Sequence, residues 1–519
     1  MPSKATLQAY ELMPYPSYAH PHCHPDRLAV IAALHGLVTA PVEGCRLLEL
    51  GCATGANLLP LAASFPGSSF VGVDLSPRMV REGQAQAAGL GLTNLTLLQA
   101  DIRELDLEPG QFDYLICHGV FSWVDAEVQR RIFELCRRCL TPRGIAYISY
   151  NAHPGWRLAS IVRDFLYFPG AHSPVGLPPA AQVAAGRHLI DRLSNLTAER
   201  TGPLDRFLAG EALRWARHDS GYLAHEYFEP HNQAFYLTDF LAGAEGLQYL
   251  GDADPGLLLL AERPGPVRDF LAACPGRVEQ QQYLDFLETR QFRRTLLCAA
   301  GHTLLATPRP ETLLELRVST PSPVQAPPRG QEGPLFLGNG EESEAIADPL
   351  LQQALRLLGE VAPASWAVTE LFAAACTGLG DPAAEGPPDA CRPLEFAGEL
   401  LRLFGRGLLE LHRWSRPVTG RLSESPEASA FARAEARLGW QATSAQHFRI
   451  DLDGLERRVL PLLDGRLSRA ELLDLLRQTS IPAGPDEDEG AWDGLPEEVL
   501  AANLAEALDR FRRQGLLVA

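Results

Sequence analysis

Glu49, Gly51, Ala53 and Gly55 stand two residues apart at the end of the apolar run Cys45-Arg46-Leu47-Leu48-Glu49-Leu50. The stretch reads as a strand that passes through a glycine turn into a helix opening near Asn57-Leu58-Leu59. In that geometry the backbone approaches a ligand closely, and the helix N-terminus offers unpaired N–H groups. Glu49, among the last strand residues, brings a carboxylate within reach of the ligand's polar groups. The pattern Glu-x-Gly-x-Ala-x-Gly differs from the Gly-x-Gly-x-x-Gly of nicotinamide binders. A second acid, Asp74, ends the run Ser69-Phe70-Val71-Gly72-Val73-Asp74, 19 residues beyond Gly55. At about that distance a doubly wound fold hydrogen-bonds a ribose diol.

Further strands carry further groups. The runs 94–101 and 112–118 end in Asp101 and in Cys117-His118, and 144–151 ends in Tyr150-Asn151. Functional groups at successive carboxyl ends suit ligand binding at one edge of a parallel sheet. At these residues the chain resembles class I S-adenosylmethionine-dependent methyltransferases. The resemblance implies an α/β, Rossmann-like, seven-stranded methyltransferase sheet and S-adenosyl-L-methionine as cofactor. It puts Gly51, Ala53 and Gly55 around the methionine part, Asp74 on the ribose, and Asp101 and Ile102 beside the adenine. Glu49, Asn57, Leu75 and His118 complete the expected cofactor set. Ala53 stands where the family usually has a second glycine, and it fits if its φ is negative.

Around this core the chain divides as follows. Residues 1–25 are rich in proline and tyrosine and read as an arm or lid, with Tyr15 and Tyr18 lining an acceptor channel. His20, His22 and His24 alternate, but the prolines between them spoil metal geometry, and no metal is expected. Residues 26–156 form the methyltransferase core and 157–235 an inserted helical cap. The runs 246–252 and 256–262 read as the last two strands, within 236–263. Residues 264–318 read as a helical regulatory segment and 319–338 as a Pro/Gly-rich linker. Two winged-helix-like units are expected, at 339–413 and 440–519.

Composition narrows the partners. The chain of 519 residues has 46% hydrophobic and 21% charged residues and a formal net charge of −18. With no long basic block, a nucleic-acid phosphate backbone is not the expected substrate. An acidic surface tolerates a basic protein, peptide or amine. Of 46 lysines and arginines only Lys4 is a lysine. Ten scattered cysteines do not make a disulfide framework; Cys136 and Cys139 read as buried thiols one helical turn apart. No apolar run is long enough to span a bilayer, so the expectation is a cytoplasmic protein without membrane insertion. The run Asp486-Glu487-Asp488-Glu489 favours protein docking over DNA binding by the C-terminal unit.

A narrower resemblance rests on His225-Glu226-Tyr227, on Tyr283-Leu284-Asp285-Phe286, and on Arg290-Gln291-Phe292-Arg293-Arg294-Thr295-Leu296-Leu297. Pro14-Tyr15-Pro16-Ser17-Tyr18 and Trp123 fit it too. Together they resemble bacterial proteins with a methyltransferase regulatory domain, which implies a protein-lysine methyltransferase with a protein or peptide acceptor, and a homodimer as one option. An amine acceptor arrives protonated, and an aromatic, partly dry channel both lowers its pKa and holds its cation over ring faces. Tyr15, Tyr18, Trp123 and Tyr150 are the expected lining, His118 an expected proton acceptor or hydrogen-bonding group, and Asn151 an orienting carbonyl. A small-molecule methyltransferase and a non-catalytic cofactor-binding scaffold are the alternatives.

Overall fold

The computed structural model describes residues 17–519, except 172–177, 198–199, 201, 219, 230, 259–261, 326–332, 339–342, 381–390, 480, 486–491 and 493. Seven strands form the central sheet: β1 (Arg46–Leu50), β2 (Ser69–Asp74), β3 (Leu95–Gln99), β4 (Phe112–Cys117), β5 (Leu140–Asn151), β6 (Leu247–Asp252) and β7 (Phe292–Ala299). Their order is β3-β2-β1-β4-β5-β7-β6. β1 to β5 run parallel, and β7 lies antiparallel between β5 and β6. Near-continuous apolar runs make β1, β4 and the second half of β5, where both faces of the sheet are covered. Alternation assigns the faces: Leu47, Tyr114, Ile116 and Tyr147 enter one core cluster, while Leu48, Leu115, Ile148 and Tyr150 enter the other.

The helices start where the sequence caps them. Ser76 Oγ accepts from Met79 N at 3.2 Å ahead of Pro77–Gly89, with Pro77 at the first position. Asp125 caps Ala126–Cys139, whose buried face includes Ile132, Cys136 and Cys139. No disulfide joins the cysteines whose side chains are described.

The seventh strand corrects the sequence reading. Residues 256–262 do not supply it: Pro255–Leu257 is a short 3-10 turn capped by Asp254, and 259–261 lie outside the described residues. Asp-Pro-Gly turn chemistry sets the conformation at the start of this stretch. The strand instead lies inside the segment expected to be helical, which forms helices at Gly265–Ala272 and Arg277–Glu288 and then β7. Charged Arg293, the second residue of the strand and 1% exposed, hides β7 from an apolar-pattern reading.

Between β5 and β6, helices Trp156–Ala171, Pro179–Thr197, Pro203–Arg217 and Ser220–Phe228 pack around Val162, Leu166, Trp215, Leu223 and Tyr227. Past β7, the expected linker 319–338 contains strand segments at Val324–Gln325 and Leu335–Leu337. Arg317–Ser319 is the centre of a three-stranded sheet with Trp366–Ala367 and Glu410–His412. This middle module therefore begins before residue 339; its helices are Pro349–Val361, Val368–Gly378 and Cys391–Gly405. Its core and one face of the methyltransferase sheet form a single hydrophobic cluster, running from Leu47 and Leu296 to Leu355, Leu371 and Leu411. Asp26, 1% exposed, sits at this junction. It accepts from Arg413 N (2.8 Å) and Trp414 N (3.1 Å), and its Oδ2 lies 3.2 Å from His412 Nδ1. The last module, with helices Ala430–Leu438, Arg469–Arg477 and Glu497–Arg513, has its own core. It includes residues before the expected start at 440.

Candidate cofactor and acceptor site

The loop after β1 is built from three residues in the left-handed region: Gly51 (φ +75°), Ala53 (φ +50°) and Gly55 (φ +73°). Gly51 is required twice, since an added Cβ would lie 2.4 Å from Val120 Cγ2. The loop is tied to β2 by Gly51 N and Cys52 N, both donating to Val73 O (2.8 and 3.1 Å). Asp74 completes the tie: Oδ2 accepts from Ala53 N and Oδ1 from Ser76 N, each at 2.8 Å. Ala53 does not have the negative φ expected of it; it takes the glycine-like conformation at a cost of about 1 kcal/mol. Ala53→Gly is therefore expected to raise the stability of this module by up to about 1 kcal/mol, read from denaturant midpoints, with binding of S-adenosylhomocysteine retained.

Glu49 lies beneath this loop at 4% exposure. Its Oε1 accepts from Asn57 Nδ2 at 3.1 Å, and Oε2 is buried without a partner. Asn57 Oδ1 accepts from His20 N at 3.1 Å, so the segment before helix Pro25–Leu34 closes over the site. Burial pushes the Glu49 carboxyl up to about 8 against the opposing Asn57 hydrogen bond, with Asp74 adding to the rise. Leu75 and Ile102 are half-buried at the ends of β2 and β3. Asp101 shares both oxygens with Arg103, whose Nη2 lies 2.6 Å from Oδ2.

On the acceptor side, Tyr18, His20 and His118 form a chain of rings, with centroids 4.9 Å apart for the first pair and 4.0 Å for the second. His118 Nδ1 lies 2.9 Å from the Tyr147 hydroxyl. Burial, with Arg294 nearby, lowers His20 to about 4. Burial, His20 and Arg294 push His118 well down too. Both imidazoles are therefore held toward the neutral form in the free chain, with His118 Nδ1 engaged at the Tyr147 hydroxyl. Trp123 is half-buried in the turn Phe121–Trp123 after β4. Asn151 is 2% exposed and its Nδ2 has no partner among the described residues. Tyr150 is not lining. It is 1% exposed, stacks on Phe240 at 4.1 Å, and has its hydroxyl 3.0 Å from Thr295 Oγ1 on the opposite face of β5 from Tyr147. Tyr15 lies outside the described residues. The three arm histidines separate: His24 Nδ1 accepts from Asp26 N, whereas His20 turns to His118.

Sequence reasoning missed Tyr147, which strand alternation places on the Glu49 face. It also missed His447, whose Nε2 lies 2.9 Å from Asn57 Oδ1 and for which the sequence holds no local signal.

The strand order, the Gly51–Gly55 loop and the Asp74 tie define a class I S-adenosylmethionine-dependent methyltransferase. Three family models match the chain: a methyltransferase domain over 47–144, a predicted methyltransferase regulatory domain over 219–299, and the PKMT C-terminal winged helix domain over 424–516. The chain belongs to the methyltransferase family that includes Uncharacterized protein RP028 of Rickettsia prowazekii, to which it is 34% identical over 47% of this chain and 97% of that protein. It is 38% identical to Uncharacterized protein RP789 of the same organism over 56% of this chain, a match spanning 52% of that protein's length. Among solved structures, PKMT2 from Rickettsia typhi in complex with AdoHcy superposes with a TM-score of 0.85 at 26% identity, covering 98% of this chain and 100% of that one. A second structure of PKMT2 from Rickettsia typhi gives a TM-score of 0.83 at 26% identity, with 97% of this chain and 100% of that one covered.

The residues present fit S-adenosylmethionine. The glycine cradle leaves backbone approachable, Asp74 stands at the ribose position, and the partnerless Glu49 Oε2 awaits a donor such as the cofactor's ammonium. That donor would favour the carboxylate over the neutral acid present at pH 7, so binding should release a proton. Affinity for S-adenosylhomocysteine is then expected to rise as pH goes from 6 to 8, by up to about tenfold per unit, and to level off above. Titration calorimetry in buffers of different ionisation enthalpy measures the proton release, and Glu49→Gln should abolish the slope. A carboxyl raised on folding adds stability below its unfolded value of 4.5 and loses it as pH rises through about 8. Without ligand, the chain therefore weakens toward alkaline pH.

Proposed function

We propose that this chain N-methylates lysine side chains of a protein acceptor. The likeness to PKMT2 along nearly the whole chain carries this reading, because it extends beyond the methyltransferase core to the C-terminal module. Held by the 51–55 loop, Glu49 and Asp74, the cofactor supplies an electrophilic methyl group for in-line attack. The chain's own residues prepare the amine. Tyr18, His20 and His118, with Trp123 beside them, line its path with rings, and the exclusion of water there disfavours the ammonium and leaves a nitrogen lone pair free. His20 and His118, being neutral, add no cation to repel it. Asn151 offers a buried amide to orient it, and its proton leaves to solvent as the amine enters. The net charge of −18 suits a lysine-bearing, basic acceptor.

The test offers methyl-labelled S-adenosylmethionine to a lysine-rich bacterial protein fraction and, separately, to a protein-free metabolite extract. Label in protein that hydrolyses to methyl-lysine supports the reading. Label only in the extract overturns it in favour of a small-molecule acceptor. The chain's own background is low, since Lys4 is its only lysine.

A further inference from the structure

We propose that the C-terminal winged-helix module is part of the cofactor site, with His447 as a positioning residue that fixes Asn57 and, through it, Glu49 for the amino end of the cofactor. The inference rests on the cofactor assignment above and adds a module that no sequence motif connects to it.

His447 comes from the turn between strands Gln441–Thr443 and Arg449–Asp451 of that module. Although it is not glycine, its φ is +67°. The turn that imposes this conformation is closed by His447 N donating to Ser444 O at 2.8 Å, and by Gln446 N and Phe448 N donating to Ser444 Oγ at 3.3 and 3.2 Å. A bulky residue held there is paid for by surrounding contacts, and such strain concentrates at functional sites. The side chain is 2% exposed and packs edge-on to His24, with ring centroids 5.3 Å apart.

The hydrogen-bond directions follow from one fixed donor. The backbone N–H of His20 can only donate, so the Asn57 atom that receives it is the amide oxygen. His447 Nε2, 2.9 Å from the same oxygen, must then carry the proton. The amide nitrogen is left facing Glu49 Oε1 at 3.1 Å. Three parts of the chain thus converge on one amide, which orients one carboxylate, whose other oxygen is buried and partnerless. If His447 is lost, Asn57 is free to rotate and Glu49 loses its fixed orientation.

The same line works in reverse. By linkage, a ligand that orders Glu49 also favours the docked position of the winged helix. A protein acceptor captured by that module would therefore bind more tightly to the cofactor-loaded chain than to the empty one.

The experiment uses the full chain and two probes in titration calorimetry: S-adenosylhomocysteine, which has the amino-acid end, and 5′-methylthioadenosine, which lacks it. His447→Ala should weaken S-adenosylhomocysteine about tenfold while 5′-methylthioadenosine changes less than about twofold. His447→Gln, which can still donate to Asn57, should recover most of the loss. If His447→Ala fails to fold, His447→Asn tolerates positive φ but stops short of Asn57, and it carries the same expectation. Equal weakening of both probes, or no change in S-adenosylhomocysteine, overturns the proposal and leaves His447 a docking contact. Failure of the parent chain to bind S-adenosylhomocysteine overturns the cofactor assignment itself, and this inference with it.

Discussion

Arg293→Ala is expected to cost about 3–5 kcal/mol and to leave little folded protein, read from soluble yield and from the denaturant midpoint of what survives. The Arg293 side chain is fully buried beside Asp285 and Asp252, at 0% and 2% exposure. It grips Asp285 in a two-pronged contact, Nε to Oδ2 at 2.8 Å and Nη2 to Oδ1 at 2.9 Å, and reaches Asp252 Oδ2 from Nη1 at 3.3 Å. Nη2 also donates to Gln281 O at 3.1 Å. Truncation removes this cation and leaves buried Asp252 without it and Asp285 with Arg290 alone, Nε to Oδ1 at 3.0 Å, which costs more than the pair's own net worth. Arg293→Lys should recover only part, since an ammonium cannot reproduce the planar fork. In the double variant Arg293→Met, Asp285→Leu the loss should be less than the sum of the single losses, because the two groups contact each other directly and the pair is lost only once. The Tyr-Leu-Asp-Phe and Arg-Gln-Phe-Arg-Arg signatures thus do structural work: they fasten helix Arg277–Glu288 to β7.

Asp74→Ala should lower affinity for S-adenosylhomocysteine by about a hundredfold or more while leaving the fold largely intact, measured by calorimetry and checked by circular dichroism. Two effects add. The carboxylate presents the acceptor lone pairs that a ribose diol requires, and it also holds Ala53 N in a loop whose alanine is already strained. Without that tie Ala53 relaxes toward negative φ and the cradle loses its shape. Asp74→Asn keeps one acceptor oxygen and should fall between the two. Combining Ala53→Gly with Asp74→Ala should make the defect worse, because glycine removes a restriction on the freed loop.

The parallel half of the sheet was legible because each strand is an apolar run ending in a group with chemistry: Glu49, Asp74, Asp101, His118, Asn151. β7 was not, because its identity lies in a buried arginine whose partners are 8 and 41 residues away. Local spacing singled out Glu49, Gly51, Gly55 and Asp74, and the structure brings the 51–55 loop and Asp74 into contact through Ala53 N. Tyr150 was misplaced for a reason the strand itself contains: it is three residues from Tyr147, an odd step, and so faces the other core. The conformation of Ala53 could not be read from its identity, since neighbouring hydrogen bonds impose it. His447 could not be found at all, as only the tertiary fold brings it across 390 residues to Asn57.

The cluster shared by the methyltransferase sheet and the middle module bears on how such a protein can be inherited. A chain ending after residue 318 would keep every motif of the cofactor loop, yet the inner face of Leu47 and Leu296 would lose its cover, and Asp26 would lose all three of its partners from residues 412–414. In this chain the catalytic fold and the middle module share one core, so trading this methyltransferase core for another would mean repacking the face that the middle module covers.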